Sequence, residues 1–519
     1  MELCDKYLGE LIFFNPPIND RFNLPIKCKR SYQPNVYSEE YFKRIHKLNK
    51  KHKKLIGKKK RKTRYDEIFL RELNSEIHYE EGYEIYYYLP IDIYENILID
   101  YVSECRGDGN FQFNTVDDYY IFLKRLTSLD SITDEIISKM KNGVKNGITM
   151  YSKIVEAIIK QLQSVLDTES YKHNKKPLVH DWDEKVSINL LTNIKRLLNY
   201  LSNEYLQDTT DKPGLCRYRG GKRLYKYKLE QTTLLGGSPK SYQDYAYNQL
   251  EKLKQEKEQL MMKLNITNDS LRTSSMYYNN KDEILSTFKD VVELLRNETQ
   301  SNFSFDLNEI PKLEIQEIPS ENNTDVAYYL KPTNEKDGVF YINTVTPNLI
   351  RKGEEIVLSL HEGFPGHHLE SYYNKKELPS YFKYWLNEGY EEGWGFYCES
   401  LYEYKEDLSY FYKIQYDILR TLRILVDTGL HYFGWSYEKC FQLMKDNLIV
   451  DDNYIHNSII RFLCMPCQAL CYKIGGQVLF SLRNKFLTKY TIQEFHKFVL
   501  EMKPCNLDDL VEACDKLIN

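Results

Sequence analysis

The sequence predicts a mostly α-helical protein with one small β element, and three observations carry that prediction. Apolar residues recur at helical spacing, as in Ile154, Ile158, Leu162 and Val165. Strand-like runs are few and short: VAYYLKP and GVFYINT, separated by the turn-forming NEKDG, read as a β-hairpin or a pair of short strands. Everything after residue 350 reads as helices joined by loops.

The 519 residues are 42% hydrophobic and 28% charged, with a mean hydropathy of −0.58. That length allows about three domain units and an ample core, and the composition excludes wholesale disorder. No apolar run reaches the ~18 residues of a membrane span. The start, MELCDKYLGELIFF, lacks the basic-then-apolar pattern of an export signal. The eleven cysteines are odd in number and irregularly spaced, so they read as reduced thiols and the expected location is intracellular and cytoplasmic.

The net charge of −4 is unevenly spread. Residues 43–64 hold 13 of the 71 lysines and arginines and none of the 75 acids, which leaves 58 basic against 75 acidic residues, or −17, elsewhere. Residues 1–79 are therefore expected to be an N-terminal extension around this basic run. The run suits a nuclear-import signal, a nucleic-acid contact or a solvated tail.

Further along, YEIYYYLPIDIY at 83–94 suggests a strand or extended segment. The chain reads helical from about residue 131. Pro and Gly punctuate 211–241, which is expected to loop over the body. Residues 241–264 then form an amphipathic helix with Leu250, Leu253, Leu260 and Leu264 on one side. A helical lobe over 80–320 and a second lobe over 321–519 complete the expected order.

The chemistry concentrates in LSLHEGFPGHHLESYY, residues 358–373. His361 and Glu362 follow an apolar helical run. In many zinc peptidases such a His binds the metal and such a Glu takes a proton from water. The usual second ligand, a His at i+4, is replaced here by Pro365. On an unbroken helix His368 would lie about 10.5 Å along the axis, and His367 about 120° off the face. Pro365 beside Gly366 predicts a kink or bulge that brings a histidine back; His367 is favoured, with His368 the alternative. Glu392, in NEGYEEGWGFYCESL, lies 25 residues after His367 and supplies the third ligand, with Glu399 seven residues further on the same helical face. Arg423, Asp427 and His431 follow at i, i+4 and i+8, so Asp427 is expected to orient His431.

The segments HEGFPGHHLE, EEGWGFYCESL, RTLRILVDTGLHYFGWS and RFLCMPCQALCYKIG resemble, in this order and spacing, the domain-of-unknown-function 885 family, marked by HExxPGHH, EGWxxYxE, DxGLHxxGW and PGQALxYKxG. The resemblance covers residues from about 80 to the C-terminus. It implies a large helical gluzincin-like metallopeptidase fold with a deep central cleft, one zinc ion and hydrolysis of peptide bonds. It implies His361, His367 or His368, and Glu392 as metal ligands, Glu362 as general base, and His431 or Tyr472 as the donor to the oxyanion. Arg461 and Gln468 are then expected to hold substrate, Arg461 through a carboxylate. Tyr341 and Asn343 of the FYINT strand would align an extended peptide by edge pairing. Glu399, Asp427 and Arg423 would support the ligands. The chain departs from the pattern at Cys467, where the family has Gly. Two other readings stand beside this one: an inactive peptidase fold serving as a binding protein, and a nucleic-acid partner held through Lys43–Arg64.

Overall fold

The computed structural model describes residues 2–82, 84–234, 236–318, 326–332, 337–344, 350–373, 378–385 and 387–519. It is mostly helical, and its contacts divide it into two units: Met1–Gly221 with Pro379–Tyr381, and Lys222–Leu378 with Phe382–Asn519. The division falls at Gly221 rather than at residue 80 or 320.

In the first unit, α1 (Leu3–Phe14), α2 (Glu39–Gly57) and α3 (Arg64–Gly82) pack together, followed by α4 (Ile97–Arg106), α5 (Val116–Leu126), α6 (Leu129–Lys145) and α7 (Ser152–Thr168). The basic run is thus no loose extension. Most of it lies on α2, whose first turn is capped by Ser38 accepting from Tyr41 N and carries Glu39 and Glu40, favourable at a helix start. Leu48, Asn49, His52 and Ile56 are buried on one side of α2, and Tyr7 Oη of α1 donates to Asn49 Oδ1 at 2.8 Å. A solvated tail would bury none of these. The Ile154 stripe lies on α7, where Ile158, Leu162 and Val165 join a core with Phe122, Ile132 and Trp182. Among the described residues of the strand or extended segment expected at 83–94, no strand forms. Ile85–Tyr88 is a short helix, with Ile85 buried and the Lys139 ammonium of α6 3.9 Å from the Tyr87 ring. Packing against α6 overrides the β preference of the tyrosines.

The second unit opens with α8 (Gly221–Thr232), inside the stretch expected to loop. Glycines and prolines bound this helix rather than interrupt it, and Leu224, Tyr225 and Leu229 are fully buried. Next come α9 (Pro239–Leu264), which buries Leu250, Leu253 and Leu260, and α10 (Lys281–Thr299). A three-stranded sheet follows: β1 (Glu314–Glu317), β2 (Ala327–Leu330) and β3 (Val339–Ile342), in the order β1-β3-β2. β2 and β3 form the expected antiparallel pair, and β1 joins parallel to β3. β3 is therefore central, and Asn343 N donates to Val326 O at 3.0 Å. This corrects the assignment of Tyr341 and Asn343 to edge pairing, because β1 and β2 occupy both edges of their strand.

The remaining helices are α11 (Glu354–Glu362), α12 (His367–Tyr372), α13 (Glu388–Cys398), α14 (Asp407–Thr428), α15 (Tyr437–Asn447), α16 (Asp452–Cys464), α17 (Gln468–Phe486), α18 (Ile492–Glu501) and α19 (Leu507–Ile518). α13 and α17 cross with backbones almost touching: a Cβ on Gly393 would lie 2.7 Å from the Gly475 Cα, and one on Gly475 would collide with the Gly389 carbonyl. Among the described residues no helix is long and apolar enough to cross a membrane.

Candidate metal centre

α11 ends at Glu362 and α12 begins at His367, so the GFPG turn divides what could have been one helix. Two acids, Glu354 and Glu355, favour the start of α11. At its end, a side chain on Gly366 would overlap the His361 carbonyl, so only glycine lets the chain fold back this tightly. Trp394 of α13 donates from Nε1 to Pro365 O at 3.0 Å and is fully buried, which ties the turn to the helix that carries Glu392.

The break brings His367 back beside His361. The two imidazole centroids are 4.8 Å apart at 86°. Their Nε2 atoms lie 3.3 Å (His361) and 3.4 Å (His367) from the same oxygen of Glu392. One donor atom from each of the three residues fits within a 4.8 Å span. In a tetrahedral site with bonds of about 2.0–2.1 Å, neighbouring ligand atoms lie about 3.3–3.4 Å apart. Two imidazoles and one carboxylate at this spacing can hold a divalent cation and leave a fourth position open.

Charge is distributed to suit that role. Burial opposes a charged His361, but the Glu392 and Glu399 carboxylates outweigh it and lift the imidazole to about 9. Burial likewise opposes a charged Glu392, yet His361 and His367 hold its carboxyl well below the usual range. Glu362 is raised by burial, with His361 and His367 acting against the rise. Its Oε2 accepts from Tyr329 N at 3.0 Å, so the outer edge of β2 faces this carboxylate.

A second layer fixes the first. His361 Nδ1 lies 2.8 Å from Glu399 Oε1, which orients the ring and directs Nε2 toward Glu392. Arg420 Nη2 sits 2.5 Å from the same Glu399 oxygen. The Tyr472 ring stacks on His361 at 5.8 Å, and Arg423 lies over the other ring, Tyr472, at 4.5 Å. Arg461 Nη2 reaches Gln468 Oε1 at 3.5 Å, and Gln468 Nε2 reaches Tyr472 Oη at 3.4 Å. Tyr472, Arg461 and Gln468 therefore form one chain of polar groups ending beside His361.

Three expected roles are corrected. His368 is not a ligand: it is fully buried, its Nε2 lies 2.7 Å from Pro311 O, and its Nδ1 lies 3.1 Å from Tyr329 Oη. His431 is no oxyanion donor. Burial lowers it to about 4, so it is neutral with a single N–H, and Nε2 meets Phe462 O at 2.8 Å. Nor does Asp427 orient it as expected. Asp427 accepts from Tyr225 Oη at 2.6 Å and from Cys467 N at 3.2 Å, while His431 stacks on the Tyr225 ring. Cys467, at φ +77°, adopts the left-handed backbone that explains the family's glycine.

Sequence reasoning missed Arg420, Tyr329 and Tyr225. Arg420 lies at i−3 from Arg423 on α14 and could have been weighed with it. Tyr329 meets Glu362 through its backbone, which leaves no mark in the sequence, and Tyr225 lies in the supposed loop. A further buried group beside the site, Glu370 with Lys503 and Lys331, was also missed; burial opposes its charge, but the two lysines hold this carboxyl at about 2.

Fold and site together define a mostly helical protein with a cluster of two buried histidines and one half-buried carboxylate beside a small sheet. The chain belongs to the family described as "Bacterial protein of unknown function (DUF885)", whose model matches residues 30–513. The match begins well before residue 80 and includes the basic run. No curated protein matches the chain. Among solved structures, a "putative lipoprotein" from Colwellia psychrerythraea shares the fold with a TM-score of 0.86 at 18% identity, covering 99% of this chain and 98% of that one. A "putative lipoprotein of unknown function" from Shewanella oneidensis does so with a TM-score of 0.75 at 12% identity, covering 100% and 99%.

Proposed function

We propose that the protein is a zinc-dependent peptidase with a gluzincin-like fold and a deep central cleft, acting on short or unfolded peptides. The observation that carries this reading is the convergence of His361, His367 and Glu392 at the spacing of a tetrahedral ion, with Glu362 beside them. His361, His367 and Glu392 would hold the zinc, which when bound supplies a Lewis acid that polarises a carbonyl and eases deprotonation of water.

The chain's own groups do the rest. Glu362 takes the proton of the attacking water at its carboxylate and delivers it to the leaving amine. Tyr472 Oη donates to the carbonyl oxygen as charge develops there. The outer edge of β2, rather than β3, aligns an extended peptide. Arg461, at the end of the Gln468–Tyr472 chain, binds a substrate carboxylate.

The location we propose is intracellular. All eleven cysteines are free thiols, as a reducing compartment maintains. The word lipoprotein in the descriptions of the two similar structures points the other way; mapping thiols on protein isolated from its native source decides between them.

Purified protein assayed for bound metal, then incubated with a peptide library with and without chelator, tests the function by mass spectrometry. One zinc per chain and chelator-sensitive cleavage are expected. A metal-free protein that zinc neither binds nor activates would overturn the reading in favour of a binding protein.

A further inference from the structure

We propose that one face of the first unit docks on an anionic lipid bilayer, with the lysines of α2 against the headgroups and Phe13 entering the apolar layer. The basic run has no part in the metal centre, yet it is folded and sorted by face. Leu48, His52 and Ile56 lie on the buried side of α2. Opposite them Lys43, Lys47, Lys50 and Lys54 are exposed at i, i+4, i+7 and i+11, which places them in one stripe. Glu39 lies 2.6 Å from Lys43, but among the described residues Lys47 and Lys54 have no acidic partner.

Beside this stripe runs a groove of about 760 Å³. Phe13, Leu24, Pro25 and Ile26 give it an apolar lining, and Arg44 and Lys47 of α2 stand along it. It is not wholly basic: Asp5, which accepts from Tyr381 N, and Glu10, paired with Lys51 at 2.5 Å, also line it, together with Lys6. Phe13, at the end of α1, is 65% exposed. A single exposed aromatic is ordinary. An exposed aromatic bordering an apolar groove next to a lysine stripe is the pattern of a surface that lies in a membrane interface.

The sign of the charge selects the partner. The stripe attracts anionic headgroups, and Lys47 and Lys54 reach them without a neighbouring acid, among the described residues, to neutralise them. The features favour lipid over nucleic acid. Between Lys43 and Arg64 no Phe, Tyr or Trp is available to stack on bases and His52 is buried, whereas Phe13 and the groove offer apolar area, which phosphate backbones do not use.

The test uses the full chain with phosphatidylcholine vesicles, alone or mixed with phosphatidylglycerol, separated by flotation. Binding is expected only with phosphatidylglycerol and should weaken as salt is added. Lys47→Gln with Lys54→Gln should weaken it about twenty-five-fold, at about five-fold for each basic residue near the surface. Phe13→Ser should weaken it about ten-fold by removing the buried apolar area, and should reduce most the part that persists in salt. All three positions are exposed, so unfolding curves should match the parent. Absence of phosphatidylglycerol-dependent binding overturns the proposal, as does Phe13→Ser binding like the parent. Tighter binding to duplex DNA than to vesicles, unaffected by Phe13→Ser, would assign the face to nucleic acid instead.

Discussion

Two buried polar clusters in the second unit are built from similar residues and behave in opposite ways. One gathers His361, His367, Glu392, Glu399 and Tyr472; the other gathers His431, Asp427, Tyr225 and Cys467. In each a histidine is buried, with a carboxylate and a tyrosine nearby. The partner of the imidazole makes the difference. His361 sits between two carboxylates and is lifted to about 9, so it is a strong site for a proton or another cation. His431 meets a backbone carbonyl and is lowered to about 4 by burial. Burial alone keeps a histidine neutral; burial between carboxylates lets it carry a positive charge.

The largest expected effect tests the first cluster. Glu362→Gln should keep zinc and lose about 10²–10⁴-fold in kcat, the range of a general base, measured on a peptide substrate. His431→Gln should keep both zinc and kcat, and cost stability of about 1–3 kcal/mol from a buried polar group left without its partner. If His431→Gln lowers kcat as much as Glu362→Gln in a folded protein, the contrast between the clusters fails.

Next in size is Glu399→Gln. The neutral amide orients His361 less well and leaves Arg420 without its carboxylate, so zinc affinity should fall about 10–100-fold in a competition with a chelating dye. An unchanged affinity would mean that Glu399 serves packing, like the second cluster.

A smaller effect lies in the pH dependence of stability. His431 is lowered to about 4 from 6.5, so its contribution is complete above pH 6.5 and is lost as the pH falls toward 4. Asp427 is raised by burial from 3.8 to about 7, so its contribution is complete below pH 3.8 and is lost as the pH rises toward 7. The two slopes oppose each other between about pH 4 and 6.5. Asp427→Asn removes one of them, so its urea midpoint should fall more steeply on acidification than that of the parent protein. Equal slopes would show that Asp427 does not titrate as its burial implies.

The smallest effect is expected at Cys467→Gly. Relief of the left-handed backbone, about 1–2 kcal/mol, is offset by the loss of a small buried side chain, of similar size. A change in the urea midpoint corresponding to less than about 1 kcal/mol is expected, sharpening the view that this departure from the family pattern is tolerated.

Helical periodicity and turn signals made the helices of both units and the β2–β3 pair legible, because those signals are local. The same locality explains the failures. Tyrosines of high β preference at 85–88 fold as a helix turn because α6 lies beside them. The helix between glycines at 221–232 resembles a loop in sequence because its core face meets residues some two hundred positions away, as Tyr225 meets Asp427. In the site, His361, Glu362, Glu392 and Glu399 followed from spacing, and the break at Pro365–Gly366 returned His367 as expected. His368 and His431 could not be sorted from sequence, since the deciding partners, Pro311 O and Phe462 O, are backbone atoms that any residue would supply.

At the crossing of α13 and α17, Gly389, Gly393 and Gly475 bring main chain against main chain. The setting of Glu392 is consequently gauged by peptide planes, which have no rotamers to relax. Repacking the surrounding core can change how well the protein resists heat, but it has little purchase on where this carboxylate stands. A methyl group added at Gly393 or Gly475 would meet main-chain atoms less than 3 Å away, so the helix that carries Glu392 would have to shift against its neighbour.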